Sequence, residues 1–171
     1  MIRIIKILLL SILFISCDEQ VADISQPKVF NKNNFSFKYP NNWTVFSEMG
    51  IGTYTQVILH TSADSLVIIE LHEASEDQDF KEYVENFSKS IQGDMSIGKI
   101  VSKGTKYSEN EIIEDFSIEV LGTKVPHKRY YFKKLFNNKV SYILFQLPTD
   151  DESKVIKGYD LIKLSIDYKN P

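Results

Sequence analysis

The chain has 171 residues, with 20 Lys plus Arg against 23 Asp plus Glu, a formal net charge of −3, and a single cysteine. This mild acidity leaves no basic excess with which to bind nucleic acid through counterion release. One cysteine excludes an internal disulfide and a thiolate-built metal centre, so a hydrophobic core must hold the fold by itself.

In chain order, "MIRIIKILLLSILFISCDEQ" has Arg3 and Lys6 in a short basic head, an apolar or small run from Ile7 to Ile15, then Ser16 and Cys17. That run is too short to cross a bilayer core, which takes about 20 helical residues. It reads as a signal peptide, residues 1–16. "FISC" resembles the lipobox of bacterial lipoproteins, with Phe14 in place of the commoner Leu. The resemblance implies that Cys17 is acylated, as by palmitate, and becomes the new N-terminus. Such a chain is held in the bacterial cell envelope by lipid, at about 0.8 kcal/mol per buried CH₂. Whether the inner or the outer membrane carries it stays open. Without residues 1–16, Lys plus Arg fall from 20 to 18 while Asp plus Glu stay at 23, giving a mature net charge of −5. Residues 17–32, with Pro27 and no periodicity, read as the acylated cysteine and a flexible tether. Residues 33–171 then form one domain.

Phe35, Phe37 and Tyr39 alternate with Ser36 and Lys38 as in a strand; Pro40, Asn41 and Asn42 break it, and Trp43, Val45 and Glu48 begin a return strand. "TYTQVILHTS" and "SLVIIELHEA" make a second hairpin about Ala63, and their continuous apolar runs predict a sheet covered on both faces. A helix follows, with Ser75 and Gln78 as a capping box, a stripe of Phe80, Tyr83, Val84, Phe87 and Ile91, and a stop at Gly93. Four further strands are expected, turning at Gly122-Thr123 and Asn137-Asn138. In the second hairpin Phe132 faces Ile143, Tyr130 faces Phe145 and Tyr131 faces Leu144. Thr149 caps a last helix with the stripe Val155, Tyr159, Ile162 and Ile166. Two amphipathic helices and a two-sided sheet predict an α+β domain, an α/β/α sandwich with a mainly antiparallel central sheet.

The break "FSFKYPNNW", the central helix, the long hairpins and the final helix together resemble the PsbP and Mog1-like superfamily, which includes photosystem-associated PsbP proteins, the nuclear-transport factor Mog1 and DcrB-like bacterial lipoproteins. The resemblance spans about Phe35 to Tyr168. It implies a non-catalytic domain that binds proteins or assists assembly, with no catalytic residues to carry over and no cofactor. Trp43 is expected to pack in the core.

The residues agree with that direction. Phosphate-loop, nucleophile-elbow and helical His-Glu-x-x-His patterns are missing from the sequence. Glu70 and His72 share a strand face, but the register through Ala63 places His60 opposite Val67 and on the other face, which argues against a metal site. The basic and aromatic strand "PHKRYYFKK" is the candidate protein contact, through His127, Lys128, Arg129, Tyr131, Lys133 and Lys134. The first reading of its cations is nonetheless cross-strand neutralisation of Glu111, Glu114, Asp115 and Glu119 on the strand before it, with an acidic partner or a phospholipid headgroup as the other. The leading expectation is a lipid-anchored domain with a protein partner in the envelope. The alternative is a small-molecule or lipid-binding module with an aromatic cleft between sheet and helix; an enzyme comes third.

Overall fold

A computed structural model describes residues 21–94 and 98–169. The signal peptide and Cys17 lie outside the described residues. The elements are β1 (Lys28–Lys32), β2 (Phe35–Tyr39), β3 (Thr44–Ile51), β4 (Tyr54–His60), β5 (Leu66–Glu73), α1 (Phe80–Asp94), β6 (Lys99–Tyr107), β7 (Glu111–Val120), β8 (Thr123–Leu135), β9 (Lys139–Pro148), α2 (Glu152–Ser165) and β10 (Asp167–Tyr168). Two antiparallel meanders, β3-β4-β5 and β6-β7-β8-β9, join where β5 pairs with β9, giving a seven-stranded sheet ordered β3-β4-β5-β9-β8-β7-β6. Every pairing in it is antiparallel. A small sheet, β1-β2-β10, stands apart.

The join explains the unbroken apolar runs. β5 and β9 lie at the middle of the large sheet, where both faces are covered, so an alternating pattern has no solvent side to record. One face carries Val57, Leu59, Val67, Ile69, Tyr130, Ile143, Phe145 and Leu147; they meet Val155, Tyr159, Ile162 and Ile166 at α2, and Phe35, Phe37 and Tyr39 of the small sheet. The other face carries Ile112, Tyr131, Val140, Tyr142 and Leu144 against Phe80, Val84, Tyr83 and Phe87 of α1. The α/β/α sandwich is thus observed, with the small sheet sharing the α2 side. The β8–β9 hairpin has the expected register, Tyr130 opposite Phe145, Tyr131 opposite Leu144 and Phe132 opposite Ile143.

Several boundaries differ. The tether expected to run to residue 32 is part of the fold throughout its described residues: the Val21 carbonyl accepts from Asn42 Nδ2 at 2.9 Å, the Ala22 amide donates to the Lys154 carbonyl at 2.8 Å, and β1 pairs with β2 along its whole length. Phe30 supplies the reason, since its ring stacks on Phe37 at 4.9 Å and closes the small core. The Tyr-Pro-Asn-Asn-Trp break does not join a hairpin; it carries the chain from the small sheet, where β2 pairs with β1 and β10, into the large one, where β3 pairs with β4. Asp79 caps α1, accepting from the Glu82 amide at 3.0 Å, while Ala74–Glu76 forms a separate 3₁₀ turn. The helix also continues through Gly93 to Asp94. Thr149 begins another 3₁₀ turn, Thr149–Asp151, ahead of α2. The β7–β8 turn residues are Leu121 and Gly122, one position earlier than expected, with φ of 50° and 81° between the closing pair Val120 and Thr123.

Candidate docking surface

The six residues expected on one contact surface are divided by the sheet. Adjacent residues of a strand point to opposite faces, so the α1 side receives His127, Arg129, Tyr131 and Lys133 while the α2 side receives Lys128 and Lys134. Lys128 Nζ reaches Glu152 Oε2 at 2.6 Å, and Lys134 Nζ donates to the Ile166 carbonyl at 2.7 Å. Lys133 Nζ pairs with Asp77 at 2.6 Å. His127 stacks on Phe116 with ring centroids 5.5 Å apart. Arg129 and Tyr131 are fully buried, so neither belongs to a contact surface.

Arg129 instead completes an internal charge centre. Its Nη1 lies 3.3 Å from Glu114 Oε2, its Nε donates to Gln146 Oε1 at 2.6 Å, and the guanidinium covers the Phe116 ring at 4.2 Å. Ser88 Oγ and Tyr131 Oη donate to the same Glu114 oxygen at 3.0 and 3.2 Å. Glu114 faces Arg129 directly in the β7–β8 register. The cross-strand neutralisation foreseen in the sequence is present here in the form that matters most, because an unpaired charge at this depth costs several kcal/mol.

A second polar centre lies on the α1 face at Glu70. Tyr54 Oη donates to Oε1 at 2.8 Å, Gln56 Nε2 to Oε1 at 2.9 Å and Tyr83 Oη to Oε2 at 3.0 Å, with His72 Nε2 3.4 Å from Oε2. Burial pushes this carboxyl up, but the side-chain hydrogen bonds from His72, Gln56, Tyr54 and Tyr83 outweigh it and hold the pKa at about 2. Tyr142 stacks on Tyr83 at 4.1 Å and donates to Asp77 at 2.8 Å. Each carboxylate oxygen already accepts from neighbouring side chains, so the centre is built to hold sheet and helix together.

The histidine geometry needs one correction. His60 pairs with Leu66, not Val67, which puts it on the same face as His72. Six residue steps still separate Leu66 from His72, roughly 20 Å of strand, so distance rather than face keeps the two apart. Among the described residues no group of three or more His, Cys, Asp or Glu could hold a metal ion. On the α2 side the space between sheet and helix is filled: Trp43 is fully buried with its ring 6.2 Å from Phe145, and Tyr159 stacks on Phe145 at 5.1 Å. A depression of about 490 Å³ opens beside His60, Thr61, Ala63, Asp64, Ser65 and Leu66, with a lining about equally polar and apolar.

The exposed apolar surface lies elsewhere. α1 packs over β5, β9, β8 and β7, and among the described residues nothing covers its face of β3. There Phe46 is 66% exposed, Met49 43% and Ile51 69%, with the half-buried Ile58 and Ile68 behind them. Phe46 is the extra residue of a bulge between Val45 and Ser47, and its ring stacks on the exposed His60 at 4.3 Å. Among the described residues β3 is a terminal strand with β4 as its one neighbour; the opposite terminal strand, β6, carries exposed Lys99, Lys103 and Lys106. Lysines are a usual guard for a strand edge, and β3 has none. The sequence signal was there: "TVFSEMGI" holds one charge in eight residues, but only the strand order shows that it is an edge.

No protein-family profile matches the chain, and no curated protein matches its sequence. The fold is similar to the solution structure of cyanobacterial PsbP, CyanoP, from Synechocystis sp. PCC 6803, with a TM-score of 0.57 and 12% identity over 85% of this chain and 94% of that one. The chain has a PsbP-like α+β fold. LpqN of Mycobacterium tuberculosis, described as involved in cell envelope biogenesis, is similar at a TM-score of 0.47 and 10% identity over 85% and 91% of the two chains. The Ran-binding protein Mog1p of Saccharomyces cerevisiae is similar at 0.48 and 10% over 84% and 95%.

Proposed function

We propose that this chain is a non-catalytic docking domain, tethered to the cell envelope by acylated Cys17, that acts by binding a protein partner. The observation that carries the docking role is the uncovered apolar face of β3, with Phe46, Met49 and Ile51 grouped on an edge that has no lysine guard. Aromatic and Met side chains in such a patch are the usual anchors of a protein contact. The polar centres at Glu70 and Arg129 fit that reading, because the Glu70 and Glu114 carboxylates accept from internal partners. Val21, the first described residue, accepts from Asn42 Nδ2 and lies four positions after Cys17, which keeps the domain close to a membrane that holds the lipid.

The test is recovery of the full chain, with its bound proteins, from native envelopes. Wild type is expected in the membrane fraction with an acyl mass on its N-terminal peptide, and Cys17→Ser in the soluble fraction. Phe46→Ser with Ile51→Ser is expected to stay folded and at the membrane but lose its co-purifying partner. A wild-type N-terminus without acyl mass overturns the anchor. Retention of the partner by the double variant overturns the assignment of this face.

A further inference from the structure

The free edge of β3 has a sequence that fits itself. We propose that β3 pairs antiparallel with β3 of a second copy about a two-fold axis through Met49, joining two seven-stranded sheets into one. The proposal deepens the docking reading by naming the occupant of the strand edge. Phe46 interrupts regular pairing, which leaves Ser47 to Ile51 as the regular part of the strand. An axis perpendicular to the sheet keeps each face on its own side, so opposed residues must share a face and the axis must pass through a residue.

Charge then selects among the registers. An axis at Glu48 would put two carboxylates directly opposite, which is destabilising. An axis at Gly50 would push Glu48 past the strand end, opposite Gly52 in the turn. Through Met49 the pairs are Met49 with Met49, Ser47 with Ile51, and Glu48 with Gly50. All five regular residues are used and no two charges meet. Glu48 is meanwhile paired with Lys32 of its own chain. The other terminal strand is a poor seam, since Lys99, Lys103 and Lys106 would bring like charges together. An isologous β3 contact also closes on itself, whereas a β3-to-β6 contact would propagate into a filament.

The consequence reaches the apolar face. Phe46, Met49 and Ile51 lie on the α1 side, so pairing doubles their strip and sets it between the two α1 helices as the floor of one shallow groove. Five residues on each side make an interface below the standard size of specific complexes, so the dimer is expected to be weak and readily dissociated.

The test uses the full chain carrying Cys17→Ser, in mild detergent, by sedimentation over a concentration series. A reversible dimer is expected, and Met49→Lys, which opposes two ammonium groups at the axis, should weaken it at least tenfold with an unchanged circular dichroism spectrum. Added to the same chain, Met49→Cys should oxidise to a linked dimer, because Cα atoms opposed across antiparallel strands lie within disulfide reach; Glu48→Cys should not. A monomer throughout the series, or equal linking by Glu48→Cys, overturns the proposal. A monomer that still captures an envelope partner through Phe46 and Ile51 overturns the dimer and leaves the docking reading standing.

Discussion

Gly158 of α2 and Trp43 are in mutual contact so close that a Cβ on Gly158 would stand 2.5 Å from the indole ring and 2.7 Å from Pro40 Cγ. A glycine inside a helix costs about 1 kcal/mol relative to alanine, and here it makes room for the largest buried side chain of the core. Gly158→Ala is therefore expected to destabilise by about 1–3 kcal/mol as an overpacking change, against its helix propensity. Trp43→Ala should cost about 3–5 kcal/mol. In urea melts the pair should be non-additive, since Gly158→Ala loses its clash once the ring is gone. A stabilising Gly158→Ala in the wild-type background would show that the contact is looser than described.

Arg129→Met should destabilise by about 3–5 kcal/mol by stranding Glu114, and Arg129→Met with Glu114→Gln should recover a large part of the loss. Chemical denaturation of the two single variants and the double variant measures this. A single variant as stable as wild type would mean that Glu114 finds water in place of the guanidinium.

Glu70 predicts an acid limb in stability. Its folded pKa lies below the usual carboxylate value of about 4.5, at about 2, so its contribution is fully present above about pH 4.5 and is lost as pH falls through 2. The size is on the order of 2 kcal/mol after allowance for partial exposure. Glu70→Gln should lower stability at pH 7 and flatten the dependence between pH 4.5 and 2. An unchanged acid limb in denaturant melts across that window would place the titrating group elsewhere.

Leu121 occupies a left-handed conformation, φ 50°, with 95% of its surface exposed. A β-turn with both central residues at positive φ favours Asn-Gly, and leucine pays roughly 1 kcal/mol in that region. Leu121→Asn should raise stability by about 0.5–1 kcal/mol, read as a higher denaturant midpoint with an unchanged slope. No gain would indicate that Leu121 makes a contact outside the described residues.

Local chemistry alone determined much of this protein. The stripes Phe80-Val84 and Val155-Tyr159-Ile162, the alternation Phe35-Phe37-Tyr39 and the register through Asn137-Asn138 are set by residues a few positions apart, and all are seen in the fold. Tertiary structure decided what depends on partners distant in sequence. Phe30 turns part of the expected tether into a strand because Phe37 waits across a turn, and a segment with one buried side chain has no period to reveal that. The cations of β8 were grouped by sequence proximity, but the two-residue period of a strand sends Lys128 to Glu152 and Arg129 to Glu114 on opposite faces. The apolar face of β3 became a surface only through strand order: the same "TVFSEMGI" between two other strands would be core. Burial is a property of which strand lies last, and that is settled by the β5–β9 pairing far along the chain.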